Sequence, residues 1–160
     1  MATIRNATNL LRLREGGIDD LDEVMRIMSG AFQPCYGEAW TRSQCAGILP
    51  MWGVTLTIAE GTRGPAGFSL VRCVADEAEL LLIAVDPACQ RRGIGQSLLD
   101  DFIAAARRGG ATRLHLEVRE GNPAVAMYQA AGFVSAGRRR NYYHGPDGQV
   151  HDAITLMLSD

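Results

Sequence analysis

The chain contains no lysine; all sixteen basic residues are arginine. A P-loop, which ends Gly-Lys-Ser/Thr, is therefore excluded, and the bias reads as a mark of genome composition more than of mechanism. Long apolar runs are missing as well. No segment approaches the roughly 18 apolar residues of a membrane span, and residues 1–10 lack an apolar core long enough for a signal peptide. The four cysteines, Cys35, Cys45, Cys73 and Cys89, stand too far apart for C-x-x-C metal or redox pairs. They are expected as buried small hydrophobes in a reducing cytoplasm, with no metal site. A net charge of -2 offers no field to nucleic acid. Internal repeats, low-complexity tracts and linkers are absent.

What is present is the composition of an ordinary soluble globular protein, 47% apolar and 21% charged over 160 residues. Such a chain is expected as one domain, 1–160, with 1–9 a loose leader, long enough to bury about 70% of its unfolded surface. After a short strand near 10–13, Asp19 and Asp20 are expected to cap a helix whose apolar face is Leu21, Val24, Met25, Met28 and Phe32. An irregular loop carrying Tyr36 and Trp40 leads to a second helix over 41–49, capped by Thr41. Two β-rich runs, 51–60 and 67–74, form a hairpin about 61–65. Alternation in 112–119 puts Leu114, Leu116 and Val118 on a core face, with His115, Glu117 and Arg119 on the polar one. A helix over 123–131 and a final hairpin, 133–143 with 150–158, complete the chain. The order β, α, α, β, β, β, α, β, α, β, β is that of an α/β domain with a mixed sheet and helices on both faces.

Residues 79–95 are the most informative stretch. The run 80–85 is too short for an independent helix and ends at Asp86-Pro87, so it reads as a buried strand. A helix from Gly95 to Arg108 follows, opened by Gln90, Arg91, Arg92, Gly93, Ile94 and Gly95. A helix that opens on glycines leaves its first N–H groups unpaired at the positive end of the macrodipole, where an anion, typically phosphate, is held. Arg91 and Arg92 add charge near such a group. A plain loop with solvated arginines is the alternative. A dinucleotide fingerprint would need a third glycine where Leu98 stands.

Taken whole, the stretch resembles motif A of the GNAT superfamily of N-acetyltransferases, Q/R-x-x-G-x-G/A after a strand ending Ile-Ala-Val-Asp-Pro. Here it is Gln90-x-x-Gly93-x-Gly95 after Ile83-Ala84-Val85-Asp86-Pro87. Leu-Glu-Val-Arg at 116–119, Met-Tyr-x-x-x-Gly-Phe at 127–133 and Arg-Arg-Asn-Tyr-Tyr at 139–143 are similar to the RimI-type ribosomal-protein-alanine N-acetyltransferases. The resemblance implies a mixed, mostly antiparallel GNAT sheet with helices on both faces, and acetyl-CoA as co-substrate. The pyrophosphate would lie on the amides of residues 90–95, and the pantetheine arm would pair with the backbone of Ile83, Ala84 and Val85.

From the residues alone, Glu117 is a solvated strand glutamate and Tyr128 a core aromatic with its hydroxyl at the edge. The resemblance implies that Glu117 is the general base and Tyr128 the acid that protonates the leaving thiolate. His115 shares the face of Glu117 but stands about 7 Å away along the strand. Asn122 matches a CoA-contacting asparagine, although its gap to Tyr128 is one residue shorter than usual in RimI-type enzymes, which leaves Gly121 as the other candidate. Tyr36 and Trp40 would wall the acceptor groove, or merely close the core. The expected acceptor is the N-terminal amine, alanine first, of a small-subunit ribosomal protein. Lysine or a small amine is the alternative acceptor, and a non-catalytic acyl-CoA-binding module is the third reading. No nucleic acid or membrane partner is expected, and the protein is expected as a monomer or weak homodimer.

Overall fold

In the computed structural model, residues 3–6 and 9–159 are described, with side chains from residue 11 onward. The strands are β1 (Thr3–Asn6), β2 (Asn9–Gly16), β3 (Val54–Gly61), β4 (Gly64–Val74), β5 (Glu77–Val85), β6 (Arg113–Arg119), β7 (Val134–His144) and β8 (Val150–Ser159). The α-helices are α1 (Leu21–Ala31), α2 (Arg42–Ile48), α3 (Ile94–Arg108) and α4 (Ala124–Ala130). They form one sheet in the order β1-β2-β3-β4-β5-β6-β8-β7, in which β5 and β6 are the single parallel pair among the described residues. The mixed, mostly antiparallel sheet matches the expectation. Thr3–Asn6 pairs with β2; the rest of the leader expected over 1–9 falls largely on residues outside the described ones.

Each helix buries the stripe that its spacing provides. Leu21, Val24, Ile27 and Met28 of α1 pack with Cys45 of α2 against Leu56, Phe68 and Leu70 on one face of the sheet. Leu99, Phe102 and Ala106 of α3 pack with Tyr128 of α4 against Leu114, Leu116 and Leu156 on the other. The α2 start is a capping box: the Gln44 N–H donates to the Thr41 hydroxyl at 3.2 Å, and the Thr41 N–H to the Gln44 side chain at 2.8 Å. At α1 the structure corrects the expected cap. Asp20 holds the cap position, but its carboxylate accepts from the Gly17 N–H at 2.9 Å and pairs with Arg14 at 2.8 Å. The Arg14 bond holds its pKa below the usual carboxylate range, so the acid ties β2 to the helix instead of capping it.

One irregularity positions everything that follows. Leu70 of β4 faces Leu82, but the next residue, Val71, faces Leu80, so Leu81 is an extra residue in β5. Such a bulge bends a strand and swaps the face that its side chains point to. Ala78 and Leu80 accordingly pack on the α3 side, whereas Leu82 and Ala84 pack on the α1 side. Pairing with β6 runs from Glu77 opposite Arg113 to Leu80 opposite Leu116 and stops there. Beyond it β5 stays with β4 and β6 with β8. Two half-sheets diverge, and the gap between them is a cleft.

Candidate active site

The cleft encloses about 970 Å³ and receives residues from both diverging arms. Ile83, Ala84 and Val85 pair with Ser69, Phe68 and Gly67 of β4 on one side; their other edge faces the cleft without a partner strand. Next comes the loop into α3. The Cys89 N–H donates to the Asp86 carbonyl at 2.8 Å and the Ser97 N–H to the Gly93 carbonyl at 3.0 Å. Between them no main-chain N–H has a hydrogen-bond partner among the described residues.

Left-handed backbone at Arg91 (φ 63°) and Gly93 (φ 78°) coils this segment, and left-handed residues followed by helical ones are the conformation in which successive amides turn to one side and attract an anion. Gln90 donates from its amide to the Val85 carbonyl at 3.3 Å, which ties the loop to the strand end. Ile94 buries its side chain beside Leu13, Ala66 and Leu98 and is also part of the cleft lining. A Cβ on Gly95 would meet Met127 Sδ at 3.5 Å and Val85 Cγ2 at 3.7 Å, ordinary contacts. Packing alone therefore does not require that glycine. Arg91 lines the cleft; Arg92 is exposed but outside the lining. A diphosphate fits this construction, because unpaired donors, a helix start and a cation converge at one end.

Glu117 and Tyr128 both line the cleft. The Glu117 carboxylate is 18% exposed and forms an ion pair with Arg139 Nε at 2.7 Å. The Tyr128 ring is buried edge-on against Phe133, and its hydroxyl makes no hydrogen bond among the described residues. Burial, with smaller contributions from Tyr143 and Glu38, pushes its pKa well above the ordinary phenol value. His115 is placed elsewhere. It sits where β5 and β6 are still paired, opposite Glu79, and turns towards Glu77 at 4.0 Å.

Asn122 lies in the cleft wall with both ends of its amide engaged. Its Nδ2 donates to Glu38 at 2.8 Å, and its Oδ1 accepts from the Ala124 N–H at 2.8 Å. Gly121 beside it has φ 86° and also lines the cleft. Tyr36 and Trp40 are both lining residues; Trp40 also packs on the α1 core, and Arg119 stacks over the Tyr36 ring at 3.6 Å.

Sequence reasoning missed Glu38 and the role of Arg119. Their side chains, 9% and 8% exposed, pair at 2.9 Å across the cleft. Tyr143 lines the same cleft, and its hydroxyl makes a long 3.5 Å approach to the Glu117 carbonyl. Its pKa is raised, by burial first and then by Glu38. The partners are 81 residues apart in sequence, so no local spacing announces them. The clue available was an acidic residue inside an aromatic loop.

A family model described as the acetyltransferase (GNAT) family matches residues 21–133. The [ribosomal protein bS18]-alanine N-acetyltransferase of Escherichia coli K12 is 46% identical over 94 residues, 58% of this chain and 63% of that protein. The match thus spans less than two thirds of that relative's length. The N-alpha-acetyltransferase RimI of Mycobacterium tuberculosis is 48% identical over 82 residues, half of each chain. In three dimensions, the crystal structure of the ribosomal-protein-S18-alanine N-acetyltransferase from Escherichia coli superposes with a TM-score of 0.83 at 33% identity, covering 93% of both chains.

Proposed function

The chain belongs to the GNAT acetyltransferase family, and from that premise we propose that it moves acetyl from acetyl-CoA to the N-terminal α-amine, alanine first, of a small-subunit ribosomal protein. The observation that carries this reading is the cleft lined both by residues 90, 91 and 93–96, whose amides are unpaired among the described residues, and by Glu117 and Tyr128. The names of the Escherichia coli and Mycobacterium tuberculosis relatives support the α-amine as acceptor.

Acetyl-CoA is a co-substrate here, and the free edge of Ile83 to Val85 would take its pantetheine arm while the α3 start takes its diphosphate. The acceptor nitrogen attacks the thioester carbon and the C–S bond breaks. Glu117, directly or through one water, accepts the proton that the amine loses; the Tyr128 hydroxyl gives a proton to the departing thiolate. Burial keeps that phenol protonated, which suits a donor. An α-amine with pKa about 8 is roughly one tenth neutral at pH 7, against a few in ten thousand for lysine at about 10.4. A modest base therefore suffices for an N-terminus.

Two peptides test the reading with mass spectrometry. One begins with a free alanine and has no lysine; the other is blocked at its N-terminus and carries one lysine. Acetylation of the first in marked preference to the second is expected, and equal turnover would overturn it. Glu117→Gln and Tyr128→Phe should each lower kcat by about a hundred-fold.

A further inference from the structure

Among the described residues three carboxylates line the cleft, and each is already paired with an arginine. Glu38 meets Arg119 at 2.9 Å, Glu79 meets Arg72 at 2.7 Å, and Glu117 meets Arg139 at 2.7 Å. Arg91 also lines the cleft and has no ion pair among the described residues. The cleft thus offers an incoming cation no free carboxylate and one surplus positive charge. Only Glu38 with Arg119 is buried; Arg72, beside the last paired rung of β5, and Arg139 are 40% and 62% exposed, and of these two Arg139 alone reaches in from the edge strand.

The fold contains an irregularity that aims it there. From Arg139 to Tyr143 β7 advances four residues while its partner β8 passes only from Ala153 to His151. The looped-out segment is fixed by Asn141, with φ 54° and its N–H donated to Asp152 Oδ1 at 2.9 Å. Arg139 and Tyr143, on either side of this bulge, both arrive at Glu117, and the guanidinium also lies 5.6 Å from the Tyr142 ring.

We propose that Arg139 is a specificity-determining residue: by occupying the Glu117 carboxylate it denies a landing site to ammonium groups, so that acceptors must enter as neutral amines. This rests on the role given to Glu117 above. The acceptor class that follows is an amine of low pKa, the N-terminus of a protein, and the classes rejected are lysine side chains and polyamines. With no ammonium site, preference for an α-amine over lysine at pH 7 approaches the ratio of their neutral fractions, roughly two hundred-fold. Removing Arg139 frees the carboxylate to collect lysine as its ammonium form.

The test compares wild type, Arg139→Gln and Arg139→Lys on the two peptides described above, reading the ratio of kcat/KM values. In Arg139→Gln the α-to-ε ratio should fall by about ten-fold, through a gain on the lysine peptide, while Arg139→Lys, which keeps the charge, should stay near wild type. A ratio unchanged in Arg139→Gln, or lowered equally in Arg139→Lys, overturns the proposal. A second arm needs no turnover: calorimetry of Nα-acetyl-lysine methylamide binding in the presence of CoA. Affinity should rise by about ten-fold in Arg139→Gln, and the rise should vanish in Arg139→Gln/Glu117→Gln. Equal affinity in wild type and Arg139→Gln overturns it. Wild type inert on both peptides would remove the proposed activity, and the binding arm would still decide the role of Arg139.

Discussion

Along the cleft, from the start of α3 to the Glu38–Arg119 pair, the protein changes how it presents polarity. The α3 end is made of consecutive residues, its donors are main-chain N–H groups, and those donors have no partner among the described residues. The far end is made of side chains from distant elements, and its charges are closed on one another: Glu38 with Arg119 and Asn122, Glu117 with Arg139. The difference follows from what each end is proposed to meet. A diphosphate carries permanent charge, so open amides at a helix start are enough to hold it. An amine must arrive without its proton, and an open carboxylate would favour the protonated form instead.

The largest effect is expected at Gly93, in the open end. A carboxylate placed there by Gly93→Glu would lie against the unpaired amides, and CoA affinity measured by calorimetry should drop by about a hundred-fold or more. Gly93→Ala separates charge from backbone strain. No atom lies within 4 Å of a Cβ at this position, but φ is 78°, so alanine costs about 1 kcal/mol of conformational strain and should weaken binding far less. Equal losses in the two variants would mean that the loop conformation, not the anion site, was lost.

That end was readable in advance because its code is local. The glycines, the arginines and the strand before them lie within residues 77–95, and the alternation and helical spacing that place the strands and helices are local too. The bulge at Leu81 was not readable, since 80–85 is apolar at every position and a strand that changes face halfway leaves no mark in such a run. Glu38 looked like any loop acid. Arg139 belonged to a recognisable motif, but its ion pair with Glu117 depends on the register break between β7 and β8, which neither strand encodes alone. Long-range side-chain pairing is what the pattern of one chain hides.

At the far end, Arg119→Met should cost about 3 kcal/mol, because it leaves Glu38 charged, buried and short of its cation. Urea unfolding measures this, and Arg119→Met/Glu38→Gln should recover part of the loss. A single variant as stable as wild type would show that the far end is not closed by charge. A smaller effect belongs to alkaline pH. Burial holds the pKa values of Tyr128 and Tyr143 above the unfolded value of about 10, so above that pH the unfolded chain releases protons that the folded one retains. The stability they contribute is complete below pH 10 and is lost as pH rises through the folded values. Tyr143→Phe should therefore move the midpoint of alkaline unfolding upward, and an unmoved midpoint would mean that this hydroxyl is not withheld from water.

The smallest expected effect is at Asn122, which belongs to the closed far end through its bond to Glu38. Its Oδ1 accepts the Ala124 N–H at the start of α4, a cap-like bond worth about 1 kcal/mol, and its Nδ2 supports Glu38. Asn122→Ala should lower stability by about that amount. Arg119 remains to hold Glu38, and neither end of the missing amide was free for a ligand, so KM for acetyl-CoA should change by no more than about two-fold. The resemblance to RimI-type enzymes points the other way, towards a cofactor contact. A rise in KM of about ten-fold with little loss of stability would assign Asn122 to the open end of the cleft, and would mean that its amide exchanges protein partners for cofactor when CoA binds.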